Sequence, residues 1–434
     1  MNSMTNAENH SPMNWPAVPA GAPPSSLPPV VLLGGEANAL SVARDLGREG
    51  IKVYILCDSD TVARHSRYCT WIETGDEGIA EDRWSRYLLS RESDDLRGAV
   101  VLSCSDAGIQ VLNKHHDALA QKFRLDLSNP SAQVAMLDKL TTYAHAQAAG
   151  VAVPRFWDGA TREQVIDLKD SLAFPVMVKP RLSHLFEQKF GRKHVIVSSF
   201  DQLLKIFDAA AVAGLAVLLM EWIPGGDDQL CSYYTYMSEG GTPLFNFTKR
   251  IIRRFPVGMG AACYHITDSV PQIVTPAQKL FKHVDLRGVA NVEFKLDTRD
   301  GQYKLIECNA RFTASNCLVS ASGCKLALFV YNRVVGRPLP DMSHFRKGMR
   351  LWDPVRDFHA YRQQKREGTL TTFGWLRSLL HRQTFAYFSW TDPMPSVVRL
   401  SKPFARLLSR LKDEGRAASD THAAVVPAIE KSVV

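Results

Sequence analysis

Short apolar runs alternate with amphipathic stretches in the first part of the chain. Val30-Val31-Leu32-Leu33 is a continuous run, as in a strand covered on both faces, and Gly34-Gly35 ends it. Residues 39–50 carry helical spacing, and residues 51–57 form a second strand run that stops at Asp58. Ala99-Val100-Val101-Leu102-Ser103 is a third, and the stretch after it predicts a helix over 106–119. Strand, helix and strand in that order make a βαβ unit. The Gly-Gly turn lacks the G-x-G-x-x-G spacing, so the pattern predicts a structural α/β domain over 30–125.

Ser128-Asn129-Pro130 then starts a helix, because Asn caps and Pro suits the first turn. The helical pattern runs to Gly150. A second helix is expected over 161–171, a strand over 174–179, and a polar loop through His194. Val195-Ile196-Val197 is another strand, 201–211 a helix, and 216–221 a strand leading into Trp222-Ile223-Pro224-Gly225-Gly226. Strand runs dominate from there to Phe312, and a helix over 325–336 closes the region. The fold class is therefore α/β together with α+β.

Composition narrows the picture. The chain has 434 residues, enough for two or three domains with sizeable cores. No apolar run reaches the roughly 18 residues of a membrane span. The first residues do not read as a secretory signal, since they lack a basic start and an apolar core and Glu8 falls early. Residues 1–29, rich in Pro, Ala, Ser and Asn, read as disordered. None of the eight cysteines forms a C-x-x-C pair, and several lie in strand-like runs. Buried free thiols in a reducing cytoplasm are expected. The net charge of +8 is uneven: residues 346–434 hold 16 Lys and Arg against 8 Asp and Glu, and the rest of the chain is neutral. That distribution argues against a nucleic-acid partner.

The densest chemistry lies near residue 300. Asn291-Val292-Glu293-Phe294-Lys295 is followed by a turn with an Asp300-Gly301 hairpin signal, then by Glu307-Cys308-Asn309-Ala310-Arg311. Glu307, Asn309 and Arg311 are two apart and share a strand face. If the strands pair, Glu293 comes beside Glu307. Two carboxylates and an amide oxygen suit Mg²⁺, and an Arg beside them suits phosphate. Alternating polar residues also mark ordinary wet strands, so the weight falls on three further features. Lys139 lies on the helix after Asn129-Pro130, Lys179 ends a strand, and Glu221-Trp222-Ile223-Pro224-Gly225-Gly226-Asp227-Asp228 reads as a hinge.

In that order these features resemble the ATP-grasp family of carboxylate–amine ligases, over about residues 126–345, with a lid subdomain at about 172–222. The α/β unit before them resembles the domain that precedes an ATP-grasp domain. Glu187-Gln188-Lys189-Phe190-Gly191-Arg192-Lys193 resembles the lid of the D-aspartate-ligase-like branch. The resemblance implies ATP with one or two Mg²⁺ ions (Mn²⁺ as a substitute) and small-molecule carboxylate and amine substrates. It further implies that Lys139 and Lys179 hold phosphates, that Lys193 reaches them from the lid, and that Glu221, Trp222 and Ile223 bind adenine. Asp228, or Asp227, contacts ribose. Glu293, Glu307 and Asn309 hold metal, and Arg311 steadies the transferring phosphoryl group.

The basic stretch 249–260 supplies further cations, with Lys249 and Arg253 expected at the γ-phosphate or the acceptor carboxylate. Ser315-Asn316 and Ser322-Gly323 are read either as substrate contacts or as helix caps. His184, His194 and His265 carry weak signals as lone histidines. Two other readings stay open: a catalytically weak ATP-binding scaffold, and a carboxylase-type enzyme, for which the chain has no biotinyl Met-Lys-Met site. Residues 346–415 are expected to be a basic, mainly helical extension outside the core. Amphipathic helices at 375–380 and 403–411 either pack on the protein's own domains or dock on a membrane or partner protein. Residues 416–434 read as a disordered tail.

Overall fold

The computed structural model describes residues 15–19, 21–159, 161–180 and 194–401. The lid tip 187–193 with Lys193, His184, the second amphipathic stretch 403–411 and the tail 416–434 lie outside the described residues.

The first unit is a five-stranded parallel sheet built from β1 (Val30–Leu33), β2 (Val53–Leu56), β3 (Thr70–Ile72), β4 (Val100–Ser103) and β5 (Arg124–Leu125), in the order β3-β2-β1-β4-β5. Its helices are α1 (Glu36–Arg48), α2 (Ala80–Leu89), α3 (Asp106–Lys114) and α4 (His116–Ala120). β1 is buried at every position, as its unbroken apolar run requires. The strand order reverses between β1 and β4, so the crevice at their carboxyl ends faces a ligand or a neighbouring domain. Ser105 caps α3 there by accepting from Gly108 N.

The helix expected from Asn129 to Gly150 is two helices, α5 (Pro130–Leu137) and α6 (Lys139–Ala148). Asp138 breaks the run with extended backbone and caps α6 by accepting from Thr141 N. A four-stranded antiparallel sheet follows, with β6 (Phe156–Gly159), β7 (Val176–Pro180), β8 (Val195–Val197) and β9 (Val217–Glu221) in the order β6-β9-β7-β8. It is backed by α7 (Arg162–Asp167) and α8 (Phe200–Val212). This layer starts at Phe156, earlier than the expected lid boundary near 172.

The third layer is a seven-stranded sheet of β10 (Leu230–Met237), β11 (Phe247–Phe255), β12 (Ala261–Thr267), β13 (Gly288–Asp297), β14 (Gln302–Asn309), β15 (Arg350–Trp352) and β16 (Gln383–Phe385), ordered β14-β13-β10-β11-β12-β15-β16. Between β12 and β13 the strand pattern concealed a helix, α9 (Val274–His283), whose Ala277, Leu280 and Phe281 pack in the core with Tyr143, Val292 and Leu305. The remaining helices are α10 (Asn316–Ala321), α11 (Leu326–Val335), α12 (Pro354–Arg366) and α13 (Thr372–Ser378). Gly336 ends α11 in the left-handed conformation, at φ 73°.

Two expectations are corrected. The extension is not outside the core, because β15 pairs with β12 and β16 with β15 in the large sheet. Aspartates fasten it: Asp357 accepts from Arg253 Nε at 2.6 Å, and Asp392 accepts from Arg44 Nε at 2.9 Å and Ser66 Oγ at 2.7 Å. Within the segment read as disordered, residues 15–19 and 21–29 run over the surface and are anchored at a few points. Trp15 Nε1 donates to Phe123 O at 3.2 Å, Val18 N donates to Val335 O at 2.8 Å, and Leu27 is buried. Composition alone had hidden these anchors in a Pro-rich sequence.

All eight cysteines are free thiols, six of them buried. Burial pushes Cys57, Cys104 and Cys231 up to about 12. Among the described residues no helix is long and apolar enough to cross a membrane.

Candidate active site

A cleft of about 440 Å³ lies between the four-stranded and seven-stranded sheets. One wall comes from β7 and β9 with the chain after β9. It presents Lys179, Met177, Met220, Trp222 and Ile223. The facing wall comes from β11–β14 and presents Lys249, Arg254, His265, Glu293, Glu307 and Asn309, with Arg311 just beyond β14. Lys139, the first residue of α6, lies at the margin.

The hairpin β13–β14 sets the acidic pair. Glu293 is directly opposite Glu307, and Asn291 opposite Asn309. A bulge falls between Glu293 and Phe294, where Ile306 becomes the extra residue. Tyr143 on α6 donates to its carbonyl at 2.7 Å. Burial raises the Glu293 carboxyl, with Lys249 opposing and Glu307 adding to the rise. Two half-buried, opposed carboxylates with an amide two residues on are a donor set suited to a hard divalent cation. Among the described residues no three His, Cys, Asp or Glu side chains gather at one point, so phosphate oxygens and water would complete the shell of an ion here.

Lys179 is fully enclosed, and its Nζ is 3.4 Å from Tyr143 Oη. Burial, with Lys139 nearby, pulls it down to about 8, against the opposing pull of Glu307. Lys249 is buried and lies 3.3 Å from His265 Nδ1. Burial and that ammonium hold His265 well below its ordinary range, so the ring is neutral and Nδ1 accepts. The neighbourhood of Lys249 was legible in its basic run. His265, a single histidine on a strand, gave no comparable signal.

Arg253 does not face the cleft. The β11–β12 pairing carries register irregularities on both sides of Arg253, which shift the alternation. Lys249, Ile251 and Arg254 therefore line the cleft, while Arg253 turns to the opposite face and donates to both oxygens of Asp357, at 2.6 and 3.1 Å. Arg254 pairs with Asp227, whose Oδ1 also accepts from Gly258 N at 3.2 Å. That engages Asp227, and Asp228 lines a groove on the far side of the sheet, so neither aspartate is placed as the expected ribose contact.

The hinge is held by groups the sequence did not reveal. Lys295 Nζ donates to Ile223 O at 2.8 Å and Gly225 O at 3.0 Å. The Glu221 carboxylate is turned from the cleft to Arg299, at 2.7 Å, and accepts from Arg155 N at 3.1 Å. Only its neighbours Trp222 and Ile223 present side chains to the apolar slot.

Arg311 Nε donates to Asp106 Oδ1 at 2.6 Å, which joins the site to the first residue of α3 in the parallel-sheet unit. Asp106 was missed, because its place at the reversal of strand order emerges only from the fold. Ser315 and Thr313 line the cleft. Asn316 instead donates to Ser41 Oγ at 3.2 Å, and Ser322 Oγ bonds Val319 O at 2.7 Å within α10, which leaves the Ser322-Gly323 pair in a structural role. His194 lines the cleft as well.

Known proteins share this fold. Residues 261–342 match the family model for the ATP-binding domain of the carbamoyl-phosphate synthase L chain. A D-aspartate ligase of Enterococcus faecium is 24% identical over 341 residues, covering 72% of this chain and 78% of its own. The N5-carboxyaminoimidazole synthetase of Staphylococcus aureus, solved with ADP, superposes with a TM-score of 0.56 at 16% identity, over 76% of this chain and 81% of its own. The biotin carboxylase domain of the Hydrogenobacter thermophilus 2-oxoglutarate carboxylase, solved with MgADP, ADP and bicarbonate, gives 0.56 at 15% identity, over 74% and 73%. The chain has the ATP-grasp fold and is similar in sequence to an ATP-grasp ligase. The sheets that grip the cleft are the two ATP-grasp layers, and the parallel-sheet unit is the domain in front of them.

Proposed function

We propose that this ATP-grasp protein is an ATP- and Mg²⁺-dependent ligase that joins a carboxylate to an amine through an acyl phosphate and releases ADP and phosphate. The observation that carries the reading is the pairing of Glu293 with Glu307, with Asn309 and Arg311 lining the same cleft as Lys139 and Lys179. In this reading the two lysines hold the α- and β-phosphates, and adenine enters the slot of Trp222 and Ile223 beside the Glu221 backbone. Glu293, Glu307 and Asn309 hold one or two Mg²⁺ ions, or Mn²⁺ in their place. The ion supplies charge neutralisation across the phosphates.

A carboxylate resists attack by an amine until one oxygen becomes a leaving group. Transfer of the γ-phosphoryl group makes that oxygen part of an acyl phosphate; the amine then attacks its carbonyl carbon, forming the C–N bond as the C–O bond breaks and phosphate leaves. Arg311, fixed by Asp106, steadies first the transferring phosphoryl group and then the oxyanion. Lys249 and Arg254, rather than Arg253, lie where the carboxylate is held. A second cavity, about 790 Å³, opens beside Glu307 and Asn309 toward the carboxyl ends of β2 and β4, and gives the amine its route. The relative named D-aspartate ligase supports an amino acid as one of the substrates.

Hydroxylamine tests the reading without knowledge of the amine. With Mg·ATP and a pool of carboxylates, the protein should convert one acid to its hydroxamate in step with ADP release. ATP binding, seen as a raised melting temperature, without any hydroxamate would favour a non-catalytic scaffold instead.

A further inference from the structure

The outer face of the extension carries a second, separate feature. Among the described residues, sixteen large hydrophobic side chains are exposed, and nine of them fall between Val355 and Leu400. Phe373 is 75% exposed, Leu380 79% and Trp390 88%. Within this stretch Phe373, Leu376 and Leu380 lie at i, i+3 and i+7 and share one side of a helix and the turn after it, as an interaction surface requires.

The charge on the same segment is one-sided for a structural reason. Residues 346–401 contain four carboxylates, and three are buried as fasteners. Asp353 pairs with Arg399, Asp357 with Arg253 and Asp392 with Arg44. Only Glu367 remains exposed, against eight exposed Lys and Arg side chains. The surface left over is apolar and cationic.

The two properties meet at α13. Phe373, Leu376 and Leu380 project from this helix and the turn after it, interleaved with exposed Arg377 and Arg382. Beside them runs a groove of about 420 Å³ lined by Arg250, Arg350, Arg377 and His381, with Asp228 as its acidic member. Arg250 is engaged by Asp268 at 2.6 Å, and Arg350 Nε is buried without a hydrogen-bond partner. A groove with surplus positive charge suits a phosphate group, and apolar side chains alternating with arginine suit the boundary between headgroups and acyl chains.

We propose that this face docks the protein on an anionic phospholipid surface, with Phe373, Leu376 and Leu380 entering the boundary layer and the arginine groove taking a headgroup phosphate. The catalytic cleft opens on the opposite face of β11, because Lys249 and Arg254 point into the cleft while Arg250 and Ile252 line the groove. Docking therefore leaves the cleft free for substrates. Attachment is peripheral and reversible, since one short helix buries little apolar area and charge supplies the rest.

Flotation of the full chain with vesicles tests this. Binding is expected on phosphatidylcholine vesicles containing phosphatidylglycerol, not on phosphatidylcholine alone, and should weaken with added salt. The double variant Arg377→Gln/Arg382→Gln should bind at least about tenfold more weakly. Phe373→Ser/Leu380→Ser should lose binding as well, while both variants keep the wild-type ATP-induced rise in melting temperature. Equal binding to neutral vesicles, or undiminished binding by either double variant, would overturn the proposal. So would binding that depends only on residues 402–434, or capture by polyglutamate without vesicle binding, which would make the partner an acidic protein.

Discussion

At the scale of single residues, the site separates side chains that act on ligand from those that hold them. Glu307 belongs to the first group. Glu307→Gln should lower turnover at least about a hundredfold, because several kcal/mol of charge neutralisation is lost with the carboxylate, and leave the melting temperature unchanged. A rate near wild type would remove Glu307 from the metal shell. Arg311→Lys keeps a charge but cannot reproduce a guanidinium's planar fork, so kcat should fall about tenfold or more while ATP affinity holds. If ATP affinity fell and kcat held, Arg311 would be a nucleotide contact instead. Lys179 sets a pH dependence. Its pKa of about 8 lies below the ordinary lysine value, and the protonated form binds phosphate. Mg·ATP affinity should therefore be level below pH 8 and decline above it, and Lys179→Arg should flatten that decline in titration calorimetry.

At the scale of elements, strand irregularities decide which residues reach the cleft. The irregular register around Arg253 in β11 exchanges the roles of Arg253 and Arg254. Arg253→Ala removes the counter-ion of the buried Asp357 carboxylate, leaving it the Trp352 and Trp375 indole N–H donors, and should destabilise the fold by about 3 kcal/mol, read by chemical denaturation. Arg254→Lys, which keeps a cation for the buried Asp227, should impair catalysis with a smaller loss of stability. The reverse assignment of effects would mean that β11 alternates regularly in solution. These bulges also mark the limit of what was legible in the sequence. Two-residue spacing past the bulge at Ile306 joined Glu307 and Asn309, with Arg311 just beyond β14, on one cleft wall, and the Asp300-Gly301 turn paired β13 with β14. The expectation for Arg253 failed because the irregular register around it in β11 leaves no compositional trace. The helix α9 was lost for a related reason, since a short run of Ile273, Ala277, Leu280 and Phe281 among strands is ambiguous in period. Asp106 and Lys295 were hidden because their partners, Arg311 and the Ile223 and Gly225 carbonyls, are remote in sequence.

At the scale of the whole molecule, three layers meet at one cleft, and the extension closes the large sheet instead of trailing from it. Asp392 ties that extension back to Arg44 in the first unit, while Asp106 carries the first unit into the site through Arg311. The basic surplus that looked like a loose tail in the sequence is, over residues 346–401, the outer skin of an integral element whose aspartates are turned inward. The central claim remains ligase chemistry in the cleft, and one measurement tests it most directly: ADP release from Mg·ATP across a matrix of amino acids and small carboxylates against amines, with mass spectrometry of each positive well. ADP release should require both a carboxylate and an amine, the amide should form in equal amount, and Glu307→Gln should lose both signals. ADP release indifferent to the amine and carboxylate supplied, or undiminished in Glu307→Gln, would contradict it.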